Sequence, residues 1–344
     1  MSRASLLSLE PRKINKVVSD SSSGRVRTFI RKVRSKGQSL RYGGLNSKND
    51  LQVGLLPGSG WRQGLPQYIG NRLIPTLFTP RAGESRQPDY ENPDVNVIGV
   101  TWIGHATFLV QLGGKNILID PNWAKWLSVI KRVREPGVCL VDLPRIDLVL
   151  VSHAHYDHLH KKSLSAVAKG QTIIVPEDVG RIVRRCGYGD IVEMKYWDQY
   201  DFDGLSITFT PAQHWGARYV HDTHRGFGGF IVTSKEGRSI YHCGDSAYFD
   251  GFGEIGNHSV IDVALLPIGA YDAPSGREVH MNPEEALTAF QELRAGAMCP
   301  MHYGTFPLGK EPIGEPAQRL VAGARELGLT DRVHLLNEGT PAHF

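Results

Sequence analysis

One short stretch of the chain concentrates side chains that could do chemistry. Residues 148–158 read LVLVSHAHYDH, an apolar run that ends in His153, His155, Asp157 and His158. The first two histidines are two residues apart, so an extended backbone points both to one side, whereas the last two groups can face a second centre. Neutral imidazoles and carboxylates are ligands that zinc and similar divalent cations prefer. Four such groups behind a buried strand therefore predict a metal site.

Three further groups of the same type follow other apolar runs. They are His214, Asp245 and His302, and each stands just beyond a predicted strand, close to a Gly or Pro that turns the backbone. By ligand count the set divides into two triads and one remaining carboxylate, Asp245, which could bridge two cations. The triads are His153, His155 and His214, and Asp157, His158 and His302.

The elements that must position these residues are short apolar runs separated by turns. The predicted strands, besides the one at Leu148, are Val97–Trp102, Thr107–Leu112, Asn116–Ile119, Thr172–Val175, Ile191–Tyr196, Leu205–Thr210, Gly229–Thr233, Ser239–Cys243, Val263–Pro267, Ala297–Pro300 and Val333–Leu336. The predicted helices are Lys161–Ala168, Asp178–Arg185 with Asp178 as N-cap, Pro283–Leu293 with Asn282 as N-cap, and Glu315–Leu327. Two strand-rich stretches with helices after each predict an α/β (α+β) architecture of two packed sheets with helices outside.

Composition limits the class of protein. The chain has 344 residues, 41% of them hydrophobic and 22% charged, which is ordinary for a globular protein with a large core. The net charge of +4 is uneven, because residues 1–50 carry twelve Lys and Arg against three Asp and Glu. The remainder is mildly acidic, which disfavours a nucleic-acid partner. The scattered cysteines predict free core thiols in a reducing, intracellular compartment; they are Cys139, Cys186, Cys243 and Cys299.

The N-terminal region differs from the rest in composition. It predicts a basic, flexible segment over residues 1–60, followed by one folded domain over residues 61–344. Within the segment, Arg25–Lys36 has apolar residues at helical spacing among basic ones, which suits contact with an anionic membrane. Its Ser- and Arg-rich composition also suits organellar import, and a solvated tail is the third interpretation. No apolar run reaches the ~18 residues of a membrane-spanning helix, so we expect a cytoplasmic, peripheral-membrane or organellar protein.

The motifs in their order resemble a known family. HAHYDH has the HxHxDH form of the metallo-β-lactamase superfamily. The segments TWIGHATFLV, TPAQHW, GDSAYF, LPIGAY, HMNPEEA and MHYGTF are similar to those of N-acyl-phosphatidylethanolamine-hydrolysing phospholipases D and their bacterial relatives. The similarity extends from about Val97 to Leu336. It implies a four-layer αββα sandwich, the metallo-β-lactamase fold, with metals at the strand ends between the sheets.

The resemblance also implies roles for individual residues. It makes the two triads the ligands of two zinc ions, with Asp245 as the bridge and with Asp157 and Asp245 in the catalytic centre. It places His280 near the metals, where the ring could protonate a leaving group, although a residue at a helix entry is the other interpretation. His105 would orient a ligand from behind. The resemblance further suggests a homodimer.

The predicted ligands lead to hypotheses about function. A pair of divalent cations lowers the pKa of a shared water and offsets the charge that builds on the substrate oxygen. The first hypothesis is hydrolysis of a phosphodiester, as in phospholipase D-type cleavage of N-acyl-phosphatidylethanolamine or a related phospholipid. Residues 272–278, DAPSGRE, are small and polar where the phospholipase has aromatic residues, so a lactonase or other ester or amide hydrolase is the second hypothesis. A metal-binding, membrane-associated protein without turnover is the third.

Overall fold

Two seven-stranded sheets form the centre of the molecule. The computed structural model describes residues 12–13, 65–90, 94–219, 222–272 and 274–344. The predicted helix Arg25–Lys36 lies outside these residues, as does nearly all of the predicted flexible segment, so both stay predictions. The strands are β1 (Arg12–Lys13), β2 (Gly99–Gly104), β3 (Thr107–Leu112), β4 (Lys115–Ile119), β5 (Trp126–Leu127), β6 (Ile130–Lys131), β7 (Leu148–Leu150), β8 (Thr172–Pro176), β9 (Ile191–Met194), β10 (Asp198–Phe202), β11 (Leu205–Thr210), β12 (Gly229–Ser234), β13 (Ser239–His242), β14 (Val263–Pro267), β15 (Ala297–Met301) and β16 (Pro341–His343).

Each sheet combines antiparallel and parallel pairing. The first has the order β16-β2-β3-β4-β7-β8-β9 and the second the order β1-β10-β11-β12-β13-β14-β15, while β5 and β6 form a separate hairpin. Strands β4, β7, β8 and β9 run parallel to one another, as do β13, β14 and β15. The carboxyl ends of parallel strands share one edge of a sheet, so residues that follow these strands are brought together there.

Alternation along the strands decides which layer each side chain enters. In β3, Phe108 and Val110 belong to the core between the sheets, whereas Leu109 between them belongs to a cluster on the outer face. Because both faces are buried, these strands read as continuous apolar runs. The helices are α1 (residues 65–78, ending in Ile74–Phe78), α2 (Lys161–Val167), α3 (Gly180–Val183), α4 (Gly251–His258), α5 (Pro283–Leu293) and α6 (Glu315–Glu326).

The helices cover the outer faces of both sheets. Leu164 of α2 and Val183 of α3 pack in the same cluster as Leu109 of the first sheet. Phe252 of α4 and Phe290 of α5 join the apolar core built on the second sheet. The result is the predicted αββα sandwich. Among the described residues, no helix combines the length and the apolar character that crossing a bilayer requires.

Helix α5 begins as its sequence predicts. The Asn282 side chain accepts a hydrogen bond from the Glu285 backbone N–H at 2.9 Å, and the Glu285 carboxylate accepts one from the Asn282 N–H at 3.0 Å. This reciprocal pair satisfies two backbone donors that the helix itself cannot. The predicted N-cap at Asp178 is wrong. Asp178 adopts a left-handed backbone with φ of 64°, and the short helix α3 starts only at Gly180.

Three other predictions about the elements need correction. Residues 333–336 form no strand: Val333 makes a single bridge to Met298, and the last strand is β16, which pairs with β2. Strand β10 and helix α4 were not predicted, because β10 is polar and α4 contains three glycines within eight residues. The four cysteines are free as expected, but Cys139 is exposed rather than part of the core.

Candidate metal site

The strand ends at one edge of the sandwich have unusual backbone conformations. Non-glycine residues with positive φ occur there at His105 (56°), Asp120 (46°), Ala270 (62°) and His302 (62°). Asp and His tolerate this left-handed region better than most residues, and it turns the chain sharply after a short strand. Strained backbone of this kind clusters at functional sites. These turns aim polar side chains into the space where the two sheets meet.

The first predicted triad converges on one point. His153 Nε2 lies 2.9 Å from His155 Nδ1, and His214 Nε2 lies 3.2 Å from the same atom. The Asp245 carboxylate Oδ2 is 3.7 Å from both His153 Nε2 and His214 Nε2. Ligand atoms of all four residues lie within 4.8 Å of one another. The site thus offers three imidazole nitrogens and one carboxylate oxygen to a single cation.

The second triad lies directly beside the first. Asp157 Oδ2 is 3.3 Å from His302 Nε2 and 3.7 Å from His158 Nε2. Asp245 Oδ2 approaches His158 Nε2 at 3.0 Å and His302 Nε2 at 3.1 Å. The same carboxylate oxygen therefore faces both triads, which is the position that a bridging ligand would take.

Asp120 holds the second triad from behind and was not predicted as a site residue. Its Oδ2 lies 2.7 Å from His158 Nδ1 and accepts a hydrogen bond from the Ser152 hydroxyl at 2.6 Å, while Oδ1 accepts from the Ser152 N–H. These contacts turn the other ring nitrogen of His158 toward Asp245. The sequence does contain a signal for Asp120, because this residue also stands just beyond an apolar strand.

The other predicted residues lie close to both triads. His105 Nε2 is 3.0 Å from Asp157 Oδ2, which fits an orienting role, and its own ring also lies within ligand distance of the second triad. His280 shares a third group with Asp245 and His302, and its ring centre is 5.1 Å from that of His214. The structure thus brings together every residue predicted for the site. The ring of His214 is fixed by a 2.9 Å contact from Nδ1 to the Val279 carbonyl oxygen.

Burial lowers the pKa of the histidines in both triads, but nearby carboxylates reverse the result at His302. It lowers the pKa of His155 to about 3, helped by His214, and lowers the pKa of His214 itself to about 4, so these rings are neutral. At His302 the effect of burial is outweighed by Asp245 and Asp157, which raise the pKa to about 9. Burial raises the pKa of Asp245, but His158 and His302 hold it well below its usual range. The shared carboxylate is therefore ionised and attracts cations.

The donor set fits divalent metal ions. His158 Nε2 and Asp245 Oδ1 are buried without a hydrogen-bond partner in the described part of the chain. Buried polar atoms rarely stay unpaired, so such atoms mark places where a further group binds. Ligand nitrogens around a tetrahedral zinc ion lie roughly 3.4 Å apart. The separations of 2.9 and 3.2 Å in the first triad are close to that value.

Comparisons with known proteins agree with this geometry. The profile of the "Beta-lactamase superfamily domain" matches residues 115–303. An uncharacterized protein of Mycobacterium tuberculosis is 34% identical over 72% of this chain and 70% of its own length. The N-acyl-phosphatidylethanolamine-hydrolyzing phospholipase D 1 of Caenorhabditis elegans is 35% identical over 64% of this chain and 68% of its own.

Two further similar proteins have names that describe metal-dependent hydrolases. A UPF0173 metal-dependent hydrolase of Methanopyrus kandleri is 34% identical over 70% of this chain and 97% of its own length. The solved structure of a metallo hydrolase from Ignicoccus hospitalis superposes with a TM-score of 0.56 and 26% identity, over 72% of this chain and 98% of that one. The matched profile covers more than half of the chain and contains all seven predicted ligands. The chain therefore belongs to the metallo-β-lactamase superfamily and is a metal-dependent hydrolase related to the N-acyl-phosphatidylethanolamine-hydrolysing phospholipases D.

Proposed function

We propose that this protein is a dinuclear zinc hydrolase that cleaves a phosphodiester, and that its substrate is N-acyl-phosphatidylethanolamine or a related phospholipid. The observation that carries the proposal is the single carboxylate oxygen of Asp245 that faces both triads. His153, His155 and His214 would hold one ion, Asp157, His158 and His302 the other, and Asp245 would bridge them. Such a pair of ions supplies an activated water and offsets negative charge on the substrate oxygen.

The protein residues around the ions have separate tasks. Asp120 and the Val279 carbonyl fix the rings of His158 and His214, so that the ligand nitrogens need not reorganise during the reaction. His105 keeps the Asp157 carboxylate in place through the 3.0 Å contact. Burial lowers the pKa of His280 well below its usual range, so the ring is neutral. We therefore assign His280 a hydrogen bond to the leaving oxygen rather than storage of a full proton.

An exposed apolar surface supports a phospholipid as substrate. Helix α1 and the β5–β6 hairpin expose six large apolar side chains, with Phe78 82% exposed; they are Ile69, Ile74, Leu77, Phe78, Trp126 and Val129. The Lys131 ammonium joins the two elements by donating to the carbonyl oxygens of Leu77 and Thr79 at 3.1 and 2.7 Å. Residues 65–81 and 122–134 contain Lys and Arg but no Asp or Glu. Apolar side chains with cations around them suit an anionic lipid surface.

This apolar surface is attached to the candidate metal site. Tyr68 of α1 donates to the Pro307 carbonyl oxygen at 2.7 Å, in the loop that follows His302. On the hairpin, Leu127 packs with Phe306 of the same loop, and the Phe306 ring meets the His105 ring with centres 5.2 Å apart. A membrane bound at this surface would therefore contact elements that pack on the loop after His302, next to the candidate metal site.

Metal analysis combined with a substrate panel tests the proposal. The full chain should contain two zinc equivalents and release an N-acylethanolamine and phosphatidic acid from N-acyl-phosphatidylethanolamine vesicles. Chelation should remove the activity, and zinc should restore it. Full activity after complete metal removal would falsify the assignment. Hydrolysis of acyl lactones with no action on phospholipids would overturn the substrate while leaving the dinuclear site.

The role of the apolar surface can be tested separately. Phe78→Ser and Trp126→Ser should weaken binding to vesicles with anionic lipid by about tenfold each, because each removes one large apolar side chain. Val260→Ser is the matched control, since Val260 is 83% exposed before β14, at the strand end opposite the site. Equal vesicle binding by all three variants would contradict a membrane contact here.

A lactonase or another ester or amide hydrolase is the second candidate. A water activated by two cations can attack a carbonyl carbon as well as a phosphorus atom, so the metal ligands do not determine which kind of bond is cleaved. Residues 272–278 contribute small and polar side chains, such as Ser275 and Arg277, rather than aromatic walls for an acyl chain.

The predicted homodimer stays a prediction, which sedimentation of the full chain would test. Membrane contact or organellar import through the basic N-terminal segment likewise stays a prediction.

A further inference from the structure

We propose that Arg218 is a positioning residue that holds the histidine loop (residues 153–158) in the shape that binds the first cation. Its guanidinium Nη1 donates hydrogen bonds to the Ala154 carbonyl oxygen at 2.8 Å and to the Leu159 carbonyl oxygen at 2.9 Å. Ala154 separates the first two histidines of the loop, and Leu159 follows its last histidine. One side chain thus joins both ends of the loop. This inference rests on the proposed metal site.

The loop depends on these two bonds because its own backbone bonds do not close it. The N–H groups of His158 and Leu159 both donate to the His155 carbonyl oxygen, at 3.3 and 2.8 Å. Ala154 and Leu159 are themselves fully buried. Buried carbonyl groups require donors, and Arg218 supplies one to each. Without it, the loop would open to reach water, and the ring of His155 would move away from the other two ligands.

Arg218 also connects the loop to the segment that carries His214. It follows His214 by four residues. Asp222 Oδ1 accepts from the backbone N–H of Arg218 at 2.8 Å, and Asp222 Oδ2 accepts from Arg225 Nε at 2.7 Å. Gly216 permits this fold, because a Cβ atom there would lie 2.1 Å from the Arg225 carbonyl oxygen. The three ligands of the first triad are therefore held relative to one another by one guanidinium.

The contacts favour arginine over lysine. The Arg218 Cζ atom lies 4.0 Å from the ring centre of Tyr156, which is part of the histidine loop. A planar guanidinium can stack on this ring while its edge donates two hydrogen bonds, whereas an ammonium can do only part of this. Arg218 acts through the backbone of Ala154 and Leu159.

Cation affinity measured by chelator competition tests the role of Arg218. Arg218→Met should weaken the binding of Zn²⁺ and Co²⁺ to the first triad by about 10- to 100-fold, the range for residues that orient ligands. Binding to the second triad should change by less than about threefold, since Asp120 holds His158 and His105 holds Asp157 without Arg218. The visible absorption bands of the Co²⁺-loaded protein should shift, and Arg218→Lys should recover part of both losses.

Arg238→Met is the matched control. Arg238 donates to Asp262 Oδ1 at 2.6 Å beside the start of β13, at the end of that strand away from Asp245. It should leave both affinities and the Co²⁺ spectrum unchanged. If Arg218→Met does not fold, Arg218→Lys carries the test, since it keeps the positive charge but cannot make both carbonyl contacts and stack on Tyr156. Unchanged affinities and spectrum, or equal weakening at both triads, would overturn the proposal. If the unaltered protein binds no Zn²⁺ or Co²⁺, the metal site itself fails.

Discussion

The two halves of the molecule contribute to the candidate metal site in different ways. In the first half, the histidine loop supplies four candidate ligands from six consecutive residues. In the second half, three strands each supply a single residue beyond their ends, namely His214, Asp245 and His302. The loop places its ligands by local turn geometry, whereas the others meet only because the sheet pairs its strands in one register.

In the second half of the molecule, the positions of the ligands depend on the register of strand pairing. Pro267 of β14 pairs with Met301 of β15, and this places His302 at the edge where Asp245 emerges. A slip of one residue would turn the side chain of His302 to the opposite face of the sheet. The histidine loop has no such dependence on distant strands, but it needs Arg218 and Asp120 behind it. Variants in the two halves should therefore fail differently.

The largest effect is expected at Asp245, where the two halves meet. Asp245→Ala should remove both cations and reduce hydrolysis to background, because its oxygen faces both triads. Asp262→Ala is a control at the opposite strand ends, where the carboxylate binds Arg238, and it should keep its metal. Metal content by mass spectrometry and an activity assay give the result. A variant at Asp245 that retains both cations would show that it is no bridge.

Replacing one ligand from each half should separate the two metal positions. His155→Ala and His302→Ala should each retain about one cation instead of two, since neither ring contacts the other triad as closely as Asp245 does. Measured stoichiometry after dialysis distinguishes the outcomes. Loss of both cations from either variant would mean that the site binds its ions only as a pair.

Removing Asp120 should have an intermediate effect confined to the second triad. Asp120→Ala leaves His158 and Ser152 without their partner inside the core, so the free energy of unfolding should fall by about 3–5 kcal/mol. The affinity of the second cation should fall about 10- to 100-fold. Urea unfolding and chelator competition measure the two quantities. Equal weakening at the first triad would contradict the independence of the two triads.

The smallest effect is expected at the start of helix α5. Asn282→Ala removes the capping bonds with Glu285 and should lower the free energy of unfolding by about 1 kcal/mol. Thermal unfolding should detect a decrease of a few degrees, while the metal content stays the same. Loss of metal would show instead that this cap also supports the metal site.

Sequence reasoning worked best where one local rule decides the structure. The run Leu205–Thr210 and the helix Pro283–Leu293 have their predicted bounds, because alternating apolar and polar residues and a complete capping box act over a few residues. It failed where distant contacts decide. Residues 333–336 lack a paired neighbour of sufficient length, whereas the polar strand β10 is held by β11 beside it. Asp120 was overlooked because its role appears only when His158 is next to it.

The sequence by itself determined the kinds of ligand, their division into two triads and the family, since residue types, short spacings and ordered motifs are local properties of the chain. Only the tertiary structure decided that one oxygen of Asp245 faces both triads, that Asp120 holds His158 and that Arg218 joins the ends of the histidine loop. These contacts link residues far apart in sequence, and their distances depend on how the two sheets pack and pair. Spacing along a chain carries no information about such packing.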